Sequence, residues 1–188
     1  MKNAILLLSA LTVSLPTFAA QQSHNPYLYF GTGNVSFDVP DIGSERNSDW
    51  STPHFTLGWG YNVNPHLAFE GVLRYSRNER EVNGVELDLH HYQAGISAVL
   101  QSDNLGDTPL SLFGRATAMG TKAELYVPDV QKIDDDTGAL FNLGAGVHWD
   151  MNKEYWLRAE YIYSVADMGF ENFYDRYDGV QISLGKRF

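Results

Sequence analysis

The side chains able to do chemistry in this 188-residue chain are its six histidines and a few well-spaced charges. Cysteine is absent, which excludes thiolate nucleophiles, thiolate metal sites and disulfides. A lipid-modifying acylase would need His with Ser and a carboxylate in one constellation. No His-x-Ser occurs, and His24 and His54 have no serine near them on a matching strand face. His66 and His148 follow or precede short turns, at the wrong end for such a substrate. His90 and His91 are adjacent; on a strand they point to opposite faces and cannot hold one ion together. Asp129 and Asp134 to Asp136 form an acidic run without the spacing of a dedicated calcium loop, and it reads as solvated. The expectation is a protein with no catalytic residue, no cofactor and no metal.

The other chemistry is charge pairing. Glu70 lies five residues beyond Pro65, and Arg115 six beyond Pro109. Arg158 and Glu160 lie four and six beyond Glu154. If each turn starts a strand running the same way, these charges reach one depth. With Arg74, which shares the face of Glu70, they form a candidate network of paired charges. Charges taken out of water require such partners.

The elements that would position them have period two, the signature of strands. Phe55, Leu57, Trp59 and Tyr61 alternate with Thr56, Gly58, Gly60 and Asn62. After Asn62 to Pro65, Leu67, Phe69, Gly71, Leu73 and Tyr75 share one face, and His66, Ala68, Glu70, Val72, Arg74 and Ser76 the other. Phe141 to Trp149 and Tyr155 to Ser164 repeat the rule around the turn Asp150 to Glu154, and Val180 to Phe188 closes the series. Less regular strands are expected over Tyr27 to Phe37, Leu87 to Leu100 and Leu110 to Met119. The fold class is therefore all-β: eight antiparallel strands in an up-and-down barrel. Short turns alternate with long polar connections at Asp38 to Ser51, Arg77 to Glu86, Gly120 to Gly138 and Val165 to Asp178; Gln101 to Pro109 is intermediate. Those long loops carry aromatics such as Trp50, Tyr126, Phe170, Phe173 and Tyr174 among acids.

Alternation alone does not say which face is inside. A soluble lipocalin-like carrier would turn its apolar face inward around a ligand. Three features favour the inverse, a transmembrane barrel. The non-apolar face is rich in Gly, Ser, Thr, Asn and Gln, suited to a narrow lumen. Its few charges can pair at one depth. An arginine facing lipid near mid-bilayer costs roughly 2–4 kcal/mol, which turns Arg115 inward and leaves Leu110, Leu112, Gly114, Ala116 and Ala118 outward; the reverse register, with Phe113 outward, is the alternative. Finally, aromatics gather at strand ends, where lipid meets water. Trp59, Tyr61, Trp149, Tyr155 and Phe188 mark one girdle, and Tyr75, Tyr92 and Tyr163 the other. A lumen so filled would not pass solutes in bulk.

Residues 1–19 read as a cleavable export leader, followed by the barrel over 20–188. Lys2 supplies the positive start, Ala4 to Val13 the short apolar stretch, and Thr17-Phe18-Ala19 the cleavage region, with cutting after Ala19 or Ala20. The formal net charge of -10 disfavours nucleic acid as a partner.

The YFGTG near the start, GYNVNPHLAFEGVLRYS, WLRAEYIYS and the terminal ISLGKRF together resemble the eight-stranded outer-membrane proteins of Gram-negative bacteria. These are the OmpA transmembrane domain, OmpX and the opacity-type porin-like families. The resemblance covers nearly all of Asn25 to Phe188. It implies a monomer among outer-membrane lipid and lipopolysaccharide. It also implies delivery by the barrel-assembly machinery, read from Val180, Ile182, Leu184 and Phe188. Lys186 departs from that signal, where an aromatic or apolar residue is usual. The function implied is non-enzymatic: envelope integrity, and surface interaction such as adhesion or host contact through the long acidic loops. A lipid A-modifying enzyme is the alternative of a different class.

Overall fold

The computed structural model describes residues 26–37, 50–82, 85–127, 134–169 and 177–188. The region read as a leader, and most of the sequence read as loops at 38–49, 128–133 and 170–176, lies outside them. So do the loop aromatics Phe170, Phe173 and Tyr174, the acid Asp129 and the side chain of Trp50.

Eight strands follow one another: β1 (Pro26–Phe37), β2 (Trp50–Asn64), β3 (Leu67–Val82), β4 (Val85–Asn104), β5 (Leu110–Tyr126), β6 (Asp134–Asp150), β7 (Tyr155–Met168) and β8 (Tyr177–Arg187). Each pairs antiparallel with its sequence neighbours, and β1 pairs with β8, so the sheet closes into a barrel. Closure leaves no strand edge. In hydrocarbon every backbone donor and acceptor must be satisfied within the protein, and a closed barrel does this.

The short turns have local causes. Asn64 Oδ1 accepts from the backbone N–H groups of His66 and Leu67, both at 2.8 Å. Asn152 does the same for Glu154 and Tyr155, again at 2.8 Å. These side chains replace a backbone turn, which is why Asn is favoured there. In the turn between β4 and β5, Gly106 takes a φ of 62°, a conformation that glycine adopts without strain.

The apolar face points outward. Ile96 and Leu100 are 65% and 63% exposed, and Leu57, Phe69, Leu112, Leu143, Ile182 and Leu184 are also exposed. Glu70, Arg74, Arg115, Arg158, Glu160, Gln93 and Gln181 are buried inside. This is the reverse of a soluble carrier. In β5 the inward residues are Ser111, Phe113, Arg115, Thr117 and Met119, and Leu112 and Ala116 face out.

Three features differ from the sequence expectation. The connection placed at Arg77 to Glu86 is mostly ladder, since β3 and β4 stay paired as far as Val82 and Val85. Strands likewise continue into the connections expected at Gln101 to Pro109, Gly120 to Gly138 and Val165 to Asp178. The reason is that a barrel strand outside the bilayer has water on its outer face. Polar residues there keep their pairing, although their composition resembles a loop. The third difference is inside. The lumen contains large aromatics, namely Tyr27, Tyr29, Phe113 and Trp156. Tyr29 stands opposite Gly58, Tyr27 opposite Gly60 and Trp156 opposite Gly185. A Cβ on Gly60 would lie 2.7 Å from the Tyr27 ring, and one on Gly58 would overlap the Tyr29 ring. Glycines of one strand thus make room for aromatics of its neighbour.

Candidate functional site: the filled lumen and the outward surfaces

The lumen is layered. At its lower middle, Glu70 of β3 forms an ion pair with Arg115 Nη2 at 3.1 Å and accepts a hydrogen bond from Arg158 Nη1 at 2.5 Å. Arg115 Nη1 reaches Glu160 Oε2 at 3.0 Å. Strands β3, β5 and β7 all rise from the short-turn end, so charges five or so residues along each meet across the barrel. The hydroxyls of Tyr27 and Tyr29 donate to the same Glu70 carboxylate at 2.6 and 3.1 Å. The Arg158 guanidinium lies 4.3 Å from the centre of the Trp156 ring, and Arg115 lies 5.7 Å from that of Tyr29. Two cations, two carboxylates and their ring neighbours fill the cross-section.

Arg74 does not join this group. It sits four positions further along β3, about 13 Å at strand rise. There its Nε donates to Thr56 Oγ1 at 3.3 Å, and its Nη1 contacts the Tyr177 hydroxyl at 3.1 Å and Gln93 Oε1 at 3.4 Å. It belongs to a separate uncharged polar layer with Gln181, which accepts from Thr56 at 2.8 Å. Further out, Val35, Leu89, Ala123, Leu140, Ile162 and Tyr177 form a buried apolar cluster. At the short-turn rim, Arg158 Nε donates to His148 Nδ1 at 3.0 Å. His148 Nε2 meets Asp150 Oδ1 at 3.1 Å, and Arg187 also bonds that carboxylate.

Sequence reasoning passed over Tyr27, Tyr29, Trp156 and His148 as lumen partners. A signal was present in β1. Tyr27 and Tyr29 occur two apart between Leu28 and Phe30, so the aromatics with polar tips occupy one face. Gly58 and Gly60 have the same spacing on the adjoining strand.

Sequence reasoning also missed a serine. Register places Ser76 directly beside both His54 and His91. All three are buried, and His54 Nε2 is held by Gln181 Oε1 at 3.0 Å. Val35 and Leu89 lie one inward position further out on neighbouring strands.

The aromatics expected to form girdles face outward, with Tyr75 and Tyr92 near the middle of β3 and β4 rather than at a strand end. Trp59, Tyr61, Trp149, Tyr155 and Phe188 stand near the short turns, and Tyr75, Tyr92 and Tyr163 toward the other end. Val180, Ile182 and Leu184 are exposed on the outer face of β8. Lys186 places its Nζ 5.6 Å from the Tyr155 ring centre and 5.5 Å from that of Phe188, an amphipathic side chain lying along aromatics.

A family model described as the outer membrane protein beta-barrel domain matches residues 5–188. This chain belongs to the outer membrane β-barrel family. Neisserial surface protein A is similar in structure, with a TM-score of 0.65 and 14% identity over 87% of this chain and 97% of that one. The N-terminal barrel of OprF from Pseudomonas aeruginosa gives 0.59 and 14%, over 89% and 100%. Ail of Yersinia pestis, in complex with the heparin analogue sucrose octasulfate, gives 0.56 and 18%, over 87% and 99%. At such identities the likeness is one of fold. No curated protein matches the sequence. The protein is thus an eight-stranded barrel of the outer membrane, its outward apolar belt in contact with lipid.

Proposed function

We propose that this barrel is a non-enzymatic envelope protein that works through its extracellular end. It contributes to envelope integrity and contacts other surfaces through the segments joining β1 to β2, β3 to β4, β5 to β6 and β7 to β8. The observation that carries this reading is the filled lumen. Paired charges, aromatics and an apolar cluster occupy it in successive layers. What can meet a partner is then the outer rim.

The rim is acidic. Glu79, Glu81, Glu86, Asp135 and Asp136 lie there, and the whole chain carries a formal charge of -10. Ail is in complex with the heparin analogue sucrose octasulfate. An acidic rim repels such a ligand and favours a cationic surface instead. The test compares bacteria making this protein with bacteria making a barrel whose residues 38–49, 128–133 and 170–176 are replaced by short Asn-Gly turns. Adhesion to host-cell monolayers should rise with the first, fall with the second and weaken with salt. Equal adhesion by the two would refute the reading. Lipid A of unchanged acyl pattern, by mass spectrometry, is the expected companion result; a changed pattern would point to an enzyme.

The same reading takes residues 1–19 as an export leader. The mass of the mature outer-membrane protein should place its first residue at position 20 or 21. It also takes Val180, Ile182, Leu184 and Phe188 as the stretch offered to the assembly machinery.

A further inference from the structure

The charges inside the barrel do not balance. Among the described residues the buried charged side chains are Glu70, Glu160, Arg74, Arg115 and Arg158, two carboxylates against three guanidinium groups. Glu70 pairs with Arg115 and Arg158, and Glu160 pairs with Arg115. The lower layer is therefore neutral by itself, and the positive charge left over belongs to Arg74. None of the lumen ion pairs includes it.

The neighbours of Arg74 are all uncharged. Register puts Thr56, Arg74, Gln93 and Thr121 in one row across β2, β3, β4 and β5. Arg74 Nε donates to the Thr56 hydroxyl at 3.3 Å, and Nη1 donates to the Tyr177 hydroxyl at 3.1 Å. Nη1 also contacts Gln93 Oε1 at 3.4 Å and Met119 Sδ at 3.9 Å. The Tyr177 ring centre lies 5.9 Å from the guanidinium carbon, at the limit of a cation–π contact. Nη2, with its own pair of N–H donors, has no acceptor among the described residues.

Arginine does not escape this position by losing a proton, because its guanidinium stays charged in proteins. A charge taken out of water without a counter-ion costs more than hydrogen bonds to neutral groups return. Hydrocarbon around the barrel supplies no solvent in exchange. The arrangement thus asks for a negative charge that the chain itself does not provide.

The room beside Arg74 sets the class of that charge. Arg74 keeps 5% of its surface exposed, and Gln93 and Thr121 in the same row keep 4% each. Within a packed lumen such remnants correspond to a gap of about one or two water molecules. A monatomic anion fits there. Phosphate or sulfate, with four oxygens around a central atom, is too wide, and an organic acid brings a tail.

We propose that one chloride ion sits against Arg74 Nη2 and neutralises the upper lumen. It is taken up as the barrel closes around Arg74, so the acidic rim does not decide its entry. The site goes beyond the surface role proposed above and does not depend on it.

The test uses the full mature protein in phosphatidylcholine vesicles, unfolded reversibly by urea in mixtures of sodium chloride and sodium gluconate at one ionic strength. For a site half-filled at about 50 mM, raising chloride from about 5 to about 500 mM should raise the folding equilibrium constant roughly tenfold. Arg74→Gln should show no such rise. Gln93→Glu sets a carboxylate where Gln93 Oε1 now contacts Arg74, and should abolish the chloride dependence by taking the place of the ion. Heat-dependent gel migration checks folding; should Arg74→Gln fail to fold, Gln93→Glu carries the comparison. Crystals of wild type refolded in bromide should show an anomalous peak beside Arg74 Nη2, absent from Gln93→Glu. An equal rise in wild type and variants marks a general salt effect and overturns the proposal. A wild-type folding constant indifferent to chloride does the same, since it leaves water as the occupant. Bromide density without chloride dependence in solution also overturns it, as binding at crystal concentration only.

Discussion

Replacing Glu70 by Gln keeps the shape of the side chain and removes the charge around which the lower lumen is arranged. Glu70 is ion-paired with Arg115 and accepts from Arg158, Tyr27 and Tyr29. After the change Arg115 still has Glu160 at 3.0 Å. Arg158 loses its carboxylate and keeps His148 and the ring of Trp156. Removing one partner of a buried ion pair costs about 3–5 kcal/mol, because the other charge stays desolvated. Arg74→Gln supplies the comparison at similar burial. Arg74 bonds uncharged groups, so its loss should cost about 1.5–3 kcal/mol. The assay is reversible urea unfolding in phosphatidylcholine vesicles, followed by tryptophan emission and gel mobility, with stability from linear extrapolation. The double variant Glu70→Gln/Arg158→Gln should cost less than the sum of the single changes by about 1–3 kcal/mol, since it leaves no orphaned arginine from that pair. A Glu70→Gln cost below about 1 kcal/mol, or strict additivity in the double variant, would refute the view that this pair holds the lumen together.

Other outcomes follow from the same geometry. Gly58→Ala places a methyl group against the Tyr29 ring and should cost about 1–3 kcal/mol, seen as a lower urea midpoint with an unchanged slope. Leu57→Arg, on the lipid face, should cost about 2–4 kcal/mol, whereas Tyr61→Arg near the short-turn boundary should cost about 0–1 kcal/mol from the charge itself; equal costs would contradict the depth assigned to these residues. Wild-type protein in planar bilayers should show no stable conductance steps, and long-lived open steps would contradict the filled lumen. Phe188→Ala should lower the amount of barrel recovered in outer membranes while the purified variant still folds in detergent, measured by fractionation and by gel mobility.

Much of this barrel was legible along the chain because a strand with lipid on one face and a packed lumen on the other obeys period two. Phe55 to Asn62, Leu67 to Ser76 and Phe141 to Trp149 each separate an apolar set from a polar one. In lipid a one-residue slip would expose Glu70 or Arg158 to hydrocarbon, so the pattern is kept strictly. The inward turn of Arg115 follows from the same cost. Distance from a turn also put Glu70, Arg115, Arg158 and Glu160 at similar depth, since strand rise is nearly constant.

Pairing across the barrel decided the rest. Which carboxylate meets which arginine depends on the stagger between strands and on closure of β1 against β8, neither of which is local. Hence Arg74, on the same face as Glu70, belongs to an uncharged layer, and Ser76 comes to stand beside two histidines. Tyr75, Arg77, His90 and Lys122 become neighbours only because β3, β4 and β5 stay paired beyond their apolar stretches. Polar alternation there looks like loop, because composition reports the solvent that a residue meets, whereas the ladder reports the backbone bonds its neighbour supplies.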